Sequence, residues 1–379
     1  SDLLNGAATI QSDAGTLTLD NATAIAAGTR ALTFAGAGAV SVSGAITGTT
    51  ATVTKAGSGS LTLGGTNSYN GATTVSGGLL VITSSGALGS TVGATTVESG
   101  AGLKLNASGL TLAENLTLSG TGIGTTASGY GALILNFNTG VFALNGVVTL
   151  SGGASINTYN AGTANVTIAQ GIQGTGNLTL RASAANNGGG IYTLNGASSY
   201  TGDTILSTTN ANATAGVTVK NGVDNALPAT TVLRLLATSG TATFGKYQLN
   251  GFNQQVAGLE GSVAANTLNS IVGGAATLST LTVNNSDDYA FAGQLGNTGT
   301  NENNLAFVKT GSGTLTLTGD NTFTGGTTLS AGTIRAGHAN AFGNLAADTL
   351  TLNGGALTSD GATARAFANN VTIGGDIAL

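Results

Sequence analysis

Residues 55–82 read KAGSGSLTLGGTNSYNGATTVSGGLLVI, and residues 309–336 read KTGSGTLTLTGDNTFTGGTTLSAGTIRA. From Lys55 to Lys309 the offset is 254 residues, no gap is needed, and about half the positions are identical. Lys55, Gly57, Gly59, Leu61, Leu63, Gly65, Asn67, Tyr69 and Gly71 recur as Lys309, Gly311, Gly313, Leu315, Leu317, Gly319, Asn321, Phe323 and Gly325. The likeness continues to Gly89 and Gly343. A weaker middle copy places Tyr200 and Gly202 in the slots of Tyr69 and Gly71, and its GxGxLTL head lies at Gly174–Leu180. Self-similarity over such distances is weighed before any other reading of the fold.

Shorter runs repeat inside and between these copies: Thr16-Leu17-Thr18-Leu19, Leu116-Thr117-Leu118, Leu178-Thr179-Leu180 and Leu350-Thr351-Leu352. Strict alternation puts Leu on one face of a strand and Thr on the other. Gly and Asn bracket nearly every run and suit tight corners. The copies also fix register. Where the first has Leu79-Leu80-Val81-Ile82, the last has Thr333-Ile334-Arg335-Ala336. Leu80, Ile82 and Ile334 therefore face inward and Val81 outward, because a one-residue slip buries Arg335. Tyr69, Tyr200 and Phe323 share one slot, read as an inward aromatic after a corner.

Composition narrows the class. Of 379 residues, 7% are charged, 41% hydrophobic and 4% aromatic, with 63 Gly, one Pro, one His, no Cys and a net charge of −5. The hydrophobic content excludes charge-driven disorder, and glycine without a three-residue period excludes collagen. No apolar run approaches the roughly 20 residues of a membrane helix, and no basic region followed by an apolar one marks an export signal, so the chain is expected to start after any such signal. Ten basic against fifteen acidic side chains leave no electrostatic footprint for nucleic acid. Without Cys, thiol chemistry and Cys/His zinc sites are ruled out within one chain.

Many short strands with glycine corners suit a parallel β-helix better than a sandwich, since near-copies along the chain then become successive coils. Coils of about 20–25 residues predict roughly 15–18 rungs. The expectation is an all-β protein, a parallel β-helix continuous over 1–379, with polar loop insertions near 182–190, 208–228 and 284–304. Pro228 is expected in a loop, since proline cannot donate to a ladder paired on both sides.

The unit K-x-G-x-G-x-L-T-L-x-G-x-N-x-[YF]-x-G-x-T-T-[VL], with A-[LF]-G after it, resembles the passenger-associated transport repeat of bacterial autotransporters. Lys55–Gly89 and Lys309–Gly343 carry it closely and Tyr192–Leu206 in part, about a quarter of the chain. The resemblance implies a right-handed β-helix, exported across the outer membrane and displayed or released outside the cell. The membrane barrel that ends such proteins has no counterpart in this sequence. A processed or excised passenger, or a relative using the repeat without the barrel, is expected.

Each candidate for chemistry has a plainer reading. Asp287-Asp288 is the one adjacent acidic pair, in the polar stretch Asn284–Asp288; carboxylates for polysaccharide cleavage must converge, whereas adjacent turn residues diverge. A calcium contact there lacks the repeated nonapeptide. His338 occupies the corner held by Ser84 in the first copy, and no G-x-S-x-G accompanies it. Gly57-Ser58-Gly59 and Gly311-Ser312-Gly313 lead into strands and lack the G-K-[ST] of a phosphate loop. Thr-x-Thr runs such as Thr52-Val53-Thr54 could form ladders that bind ice or glycans, but they do not recur at every expected rung, and threonine is also the ordinary polar strand former. Asn115-Leu116-Thr117 is a glycan-acceptor sequence. No catalytic, metal or cofactor residue is assigned.

The expected function is a non-enzymatic extracellular stalk or filament subunit, with a glycan-binding adhesin and a polysaccharide-cleaving β-helix as alternatives. The expected partners are other copies through end-to-end docking of terminal rungs and host or matrix glycans, with no nucleic acid and no membrane insertion. Neither end shows a cap, and uncapped solenoid ends present open strand edges.

Overall fold

The computed structural model describes residues 6–20, 25–123, 131–136, 140–159, 162–183, 189–208, 216–237, 244–261, 269–343, 348–361 and 364–378. Among them there is no helix; the strands form parallel sheets stacked as a β-solenoid. Contacts group the chain into two compact units, Ser1–Gly190 and Ile191–Leu379; each is described by itself.

In the first unit one ladder runs through Ala8–Gln11, Ala31–Ala35, Thr52–Lys55, Thr73–Val75, Thr95–Val97, Leu116–Gly120, the start of Val148–Thr158, and Ile172–Gly174. A second runs through Thr16–Leu19, Ala39–Val42, Ser60–Leu63, Gly78–Ile82, Ala101–Leu105, Leu133–Leu135, the end of Val148–Thr158, and Leu178–Ala182. Each pairing is parallel, so each coil repeats the last one rung along. On the second ladder Leu61, Leu80, Leu103, Leu133, Ile156 and Leu180 stand directly on one another, all with no exposed surface. Fully burying such a side chain contributes about 1.5–3 kcal/mol, and the row repeats that gain at every coil.

The second unit repeats the plan. One ladder joins Thr204–Thr208, Val232–Ala237, Gly258–Gly261, Tyr289–Phe291, Thr314–Leu317, Thr333–Ala336 and Ala356–Ser359. Another joins Gln254–Val256, Ser279–Asn284, Leu305–Thr310, Thr327–Leu329, Thr349–Leu352 and Asn370–Ile373. Leu80, Ile82 and Ile334 are fully buried while Arg335 is exposed, as the comparison of copies requires.

Among the described residues the longer ladders have eight rungs in the first unit and seven in the second, at the low end of the 15–18 expected. The coil period is 20 residues from Thr54 to Thr74 and 32 from Thr117 to Thr149. The stretch 284–304, expected as a loop, contains the strands Tyr289–Phe291 and Gln294–Leu295. The stretch 208–228 contains the strand Gly216–Asn221 and the buried Ala226 and Leu227. Their remainder at 209–215, like 184–188 of the insertion near 182–190, lies outside the described residues. Pro228 sits in a turn whose carbonyl accepts from the Thr231 amide.

The shared aromatic slot shows how the copies differ. Tyr69, Tyr200 and Phe323 are each at most 1% exposed. The Tyr69 hydroxyl bonds Thr73 Oγ1 at 2.7 Å, and Tyr200 bonds Thr204 in the same way. Phe323 has no hydroxyl, and the equivalent Thr327 Oγ1 is buried without a partner. An unsatisfied buried hydroxyl costs about 1–3 kcal/mol. Phe323→Tyr is therefore expected to raise unfolding stability by about 1 kcal/mol in denaturant titration; an equal or lower midpoint would contradict the shared geometry.

Candidate functional site

The positions shared by the copies point inward. Lys55 alternates with Val53, and Lys309 with Phe307, so both lysines face the core, and they are 2% and 0% exposed. Lys55 Nζ donates to the carbonyls of Ala56 at 2.6 Å, Gly57 at 2.9 Å and, one coil on, Gly77 at 3.1 Å. Lys309 donates to the carbonyls of Thr310, Gly311 at 3.0 Å and Ala331 at 3.4 Å. Three ammonium donors thus meet three corner carbonyls. Burial lowers both lysines to about 8, with Asp288 acting against the shift at Lys309. The corner has glycine because carbonyls of the preceding coil crowd it: a Cβ on Gly78 would lie 2.2 Å from the Gly59 oxygen and one on Gly332 2.3 Å from the Gly311 oxygen, with the lysine Nζ at 2.7 Å in both, at φ of 65° and 71°.

The repeat asparagine is a second clamp. Asn67 Oδ1 accepts from the Ile46 amide of the coil before at 2.7 Å, and its Nδ2 donates to the Ala87 carbonyl of the coil after. Asn321 does the same with Leu295 N and Ala341 O, both at 2.8 Å. Each amide links three coils from the point where a ladder ends, at the strands Ile46–Gly48 and Gln294–Leu295. The sequence marked these positions as fixed; the parity of Val53 with Lys55 was the signal that the lysine points inward.

One buried acid carries the same signal, falling in parity between the buried Leu112 and Leu116. Glu114 is 5% exposed. Its Oε1 accepts from Thr95 Oγ1 at 2.9 Å, and its Oε2 has no partner. Burial pushes its carboxyl up to about 8, with the Thr95 bond opposing.

The outward candidates are links between coils. Asp288 Oδ1 accepts from the Thr314 amide at 2.7 Å, which holds its exposed carboxyl below the usual range. The Asp287 carbonyl accepts from Asn285 Nδ2 at 2.6 Å, and both acidic side chains are exposed. His338 Nδ1 accepts from the Asn340 amide at 3.1 Å and lies 3.7 Å from Asp320 Oδ1, at a partly exposed corner. Gly57-Ser58-Gly59 and Gly311-Ser312-Gly313 are corners entering the strands Ser60–Leu63 and Thr314–Leu317. Asn115 Oδ1 accepts from the Val147 amide at 2.9 Å. Arg234 joins Asp203 at 2.7 Å to Glu260 across successive coils. Beside it, Glu260, Gly261, Asp288, Tyr289 and Ala290 line an open cleft. Among the described residues, no three His, Cys, Asp or Glu are grouped to hold a metal, and no helix is long and apolar enough to cross a membrane.

One outward feature of the first unit is made of single threonines, and not of the Thr-x-Thr runs, which do not recur at every rung. On the first ladder Thr9, Thr33, Thr54, Thr74, Thr96, Thr117 and Thr149 are consecutive partners, followed by Gln173. The sequence conceals the column because the coils between its members run from 20 residues (Thr54 to Thr74) to 32 (Thr117 to Thr149).

Residues 53–82 and 307–336 each match the family model of the passenger-associated-transport-repeat. No curated protein and no solved structure matches the chain. The repeats and the β-solenoid fit an autotransporter passenger domain, and that family implies export to the cell surface or extracellular space.

Glu114 gives this interior a pH dependence of definite sign. A carboxyl whose folded value lies near 8, above its unfolded 4.5, contributes stability that is complete below 4.5 and lost as pH rises towards 8. Glu114→Gln is expected to flatten the stability profile between those limits and to be more stable at pH 8 by about 2–4 kcal/mol. Parallel profiles for variant and parent, from denaturant titrations across that range, would refute the assignment.

Proposed function

We propose that this β-solenoid, carrying two passenger-associated transport repeats, is a non-enzymatic structural segment of a passenger, a stalk or a filament-forming subunit outside the cell. The observation that carries this reading is where the repeat spends its polar residues. Lys55, Lys309, Asn67 and Asn321 are buried clamps between coils, and the acidic pair caps a corner. Residues kept in both copies hold coils together instead of meeting a substrate.

On the strand Asn370–Ile373, Val371 and Ile373 continue the inward row of Leu350 and Leu352, and any further coil stacked on that strand covers them.

Electron microscopy of the purified chain over a range of concentrations is expected to show end-to-end chains that Val371→Lys with Ile373→Lys shortens or abolishes. Single particles at every concentration would exclude filaments and leave the stalk. In a polysaccharide screen no turnover is expected; turnover that is lost in the Asp287→Ala/Asp288→Ala variant would replace this reading with the enzymatic one.

A further inference from the structure

The threonine column of the first unit performs no task assigned above. Its members face outward from eight consecutive rungs, Gln173 completing the row, and none of the eight is charged. Of the residues two positions away, Ala31, Ala35, Thr52, Ser119 and Ser151 are small and uncharged, while Glu98 is an exposed charge at the edge of the face. We propose that this face is a lateral self-association surface, on which a second copy of the chain packs its own threonine column face to face.

The occupant follows from period, charge and chemistry. Rungs are about 4.8 Å apart, and a second copy has the same spacing, so a fit at one rung extends along all eight. Branching at Cβ restricts the threonine rotamer, and ladder neighbours restrict it further, so little side-chain freedom remains to be lost on contact. Each side chain offers a methyl to bury and a hydroxyl that both donates and accepts, which makes the face complementary to itself, as a two-fold interface requires. Like charges in register would repel, and the column has none. Paired sheets of identical, uncharged side-chain ladders interdigitate in this way.

Size sets the strength. Eight rungs at about 4.8 Å and a strand width of about 14 Å give on the order of 500 Å² per copy. The pair buries roughly 1,000 Å², the lower bound of specific interfaces. The association is weak alone and strengthens by multiplicity where several copies are already aligned. It needs no end-to-end contact, so it holds whether or not filaments form.

Sedimentation equilibrium from about 10 µM to 1 mM tests it on the intact chain. With end-to-end docking blocked by Val371→Lys and Ile373→Lys, a monomer–dimer equilibrium is expected, weakened at least ~10-fold by adding Thr74→Lys with Thr96→Lys while the melting temperature is unchanged. Val371→Lys with Ile373→Lys is expected to leave this dimer intact, which separates it from end-to-end docking. The chain has no cysteine, so single cysteines report the contact directly. Thr96→Cys is expected to cross-link between copies with a flexible bismaleimide, and Asn165→Cys, exposed on another strand, is not. A monomer throughout, a dimer indifferent to the lysine pair, or equal cross-linking at both cysteines would overturn the proposal.

Discussion

Each coil of this protein depends on its neighbours to satisfy its backbone. Within the parallel ladders the strands do this themselves, one rung on the next. At the corners the ladders are interrupted, and a buried peptide group left without a partner costs as much as a lost hydrogen bond. The repeat answers this with two side chains: an ammonium that gathers corner carbonyls from two coils, and an amide that accepts from the coil below and donates to the coil above. The glycines beside the lysine follow from the same close stacking, because corner carbonyls of the preceding coil, and then the ammonium, occupy the space a Cβ needs. What identifies the repeat in sequence is the chemistry of joining coils where strands cannot.

The interior is not uniformly apolar, and its polar residues are tuned by burial. Tyrosine hydroxyls pair with threonines in two copies, while the third keeps the threonine and loses the hydroxyl. Glu114 sits one rung from Thr95 with one carboxylate oxygen unpartnered, and desolvation drives its carboxyl towards the neutral form. The buried lysines shift in the opposite sense, also towards neutrality. All three shifts have one cause: charge is expensive in a core narrow enough to be filled by a single row of leucines.

Much of this was legible before the structure. Leu–Thr alternation gave the strand faces, and Arg335 opposite Val81 fixed the register. The aromatic slot was correctly read as inward at Tyr69, Tyr200 and Phe323. Coil length was harder, because it varies from 20 to 32 residues without leaving a compositional mark, and a polar stretch such as 284–304 still contributes strands. The threonine column was missed for the same reason. Its members come from TTV, LTL and VTL segments at unequal spacing, and only the pairing shows that they coincide. Glu114 was legible by the same parity, since it alternates with Leu112 and Leu116, although an acid at an inward position runs against composition alone.

The central claim is that the fixed polar residues of the repeat are clamps between coils. Residue-resolved hydrogen exchange on Asn67→Ala and Asn321→Ala tests it most directly, because each clamp has one identified amide as its donor. The account predicts that the amides of Ile46 and Leu295 lose at least ~10-fold protection, about 1.4 kcal/mol, beyond any change shared by the whole chain. Protection at those two amides that falls only in step with global stability would contradict it.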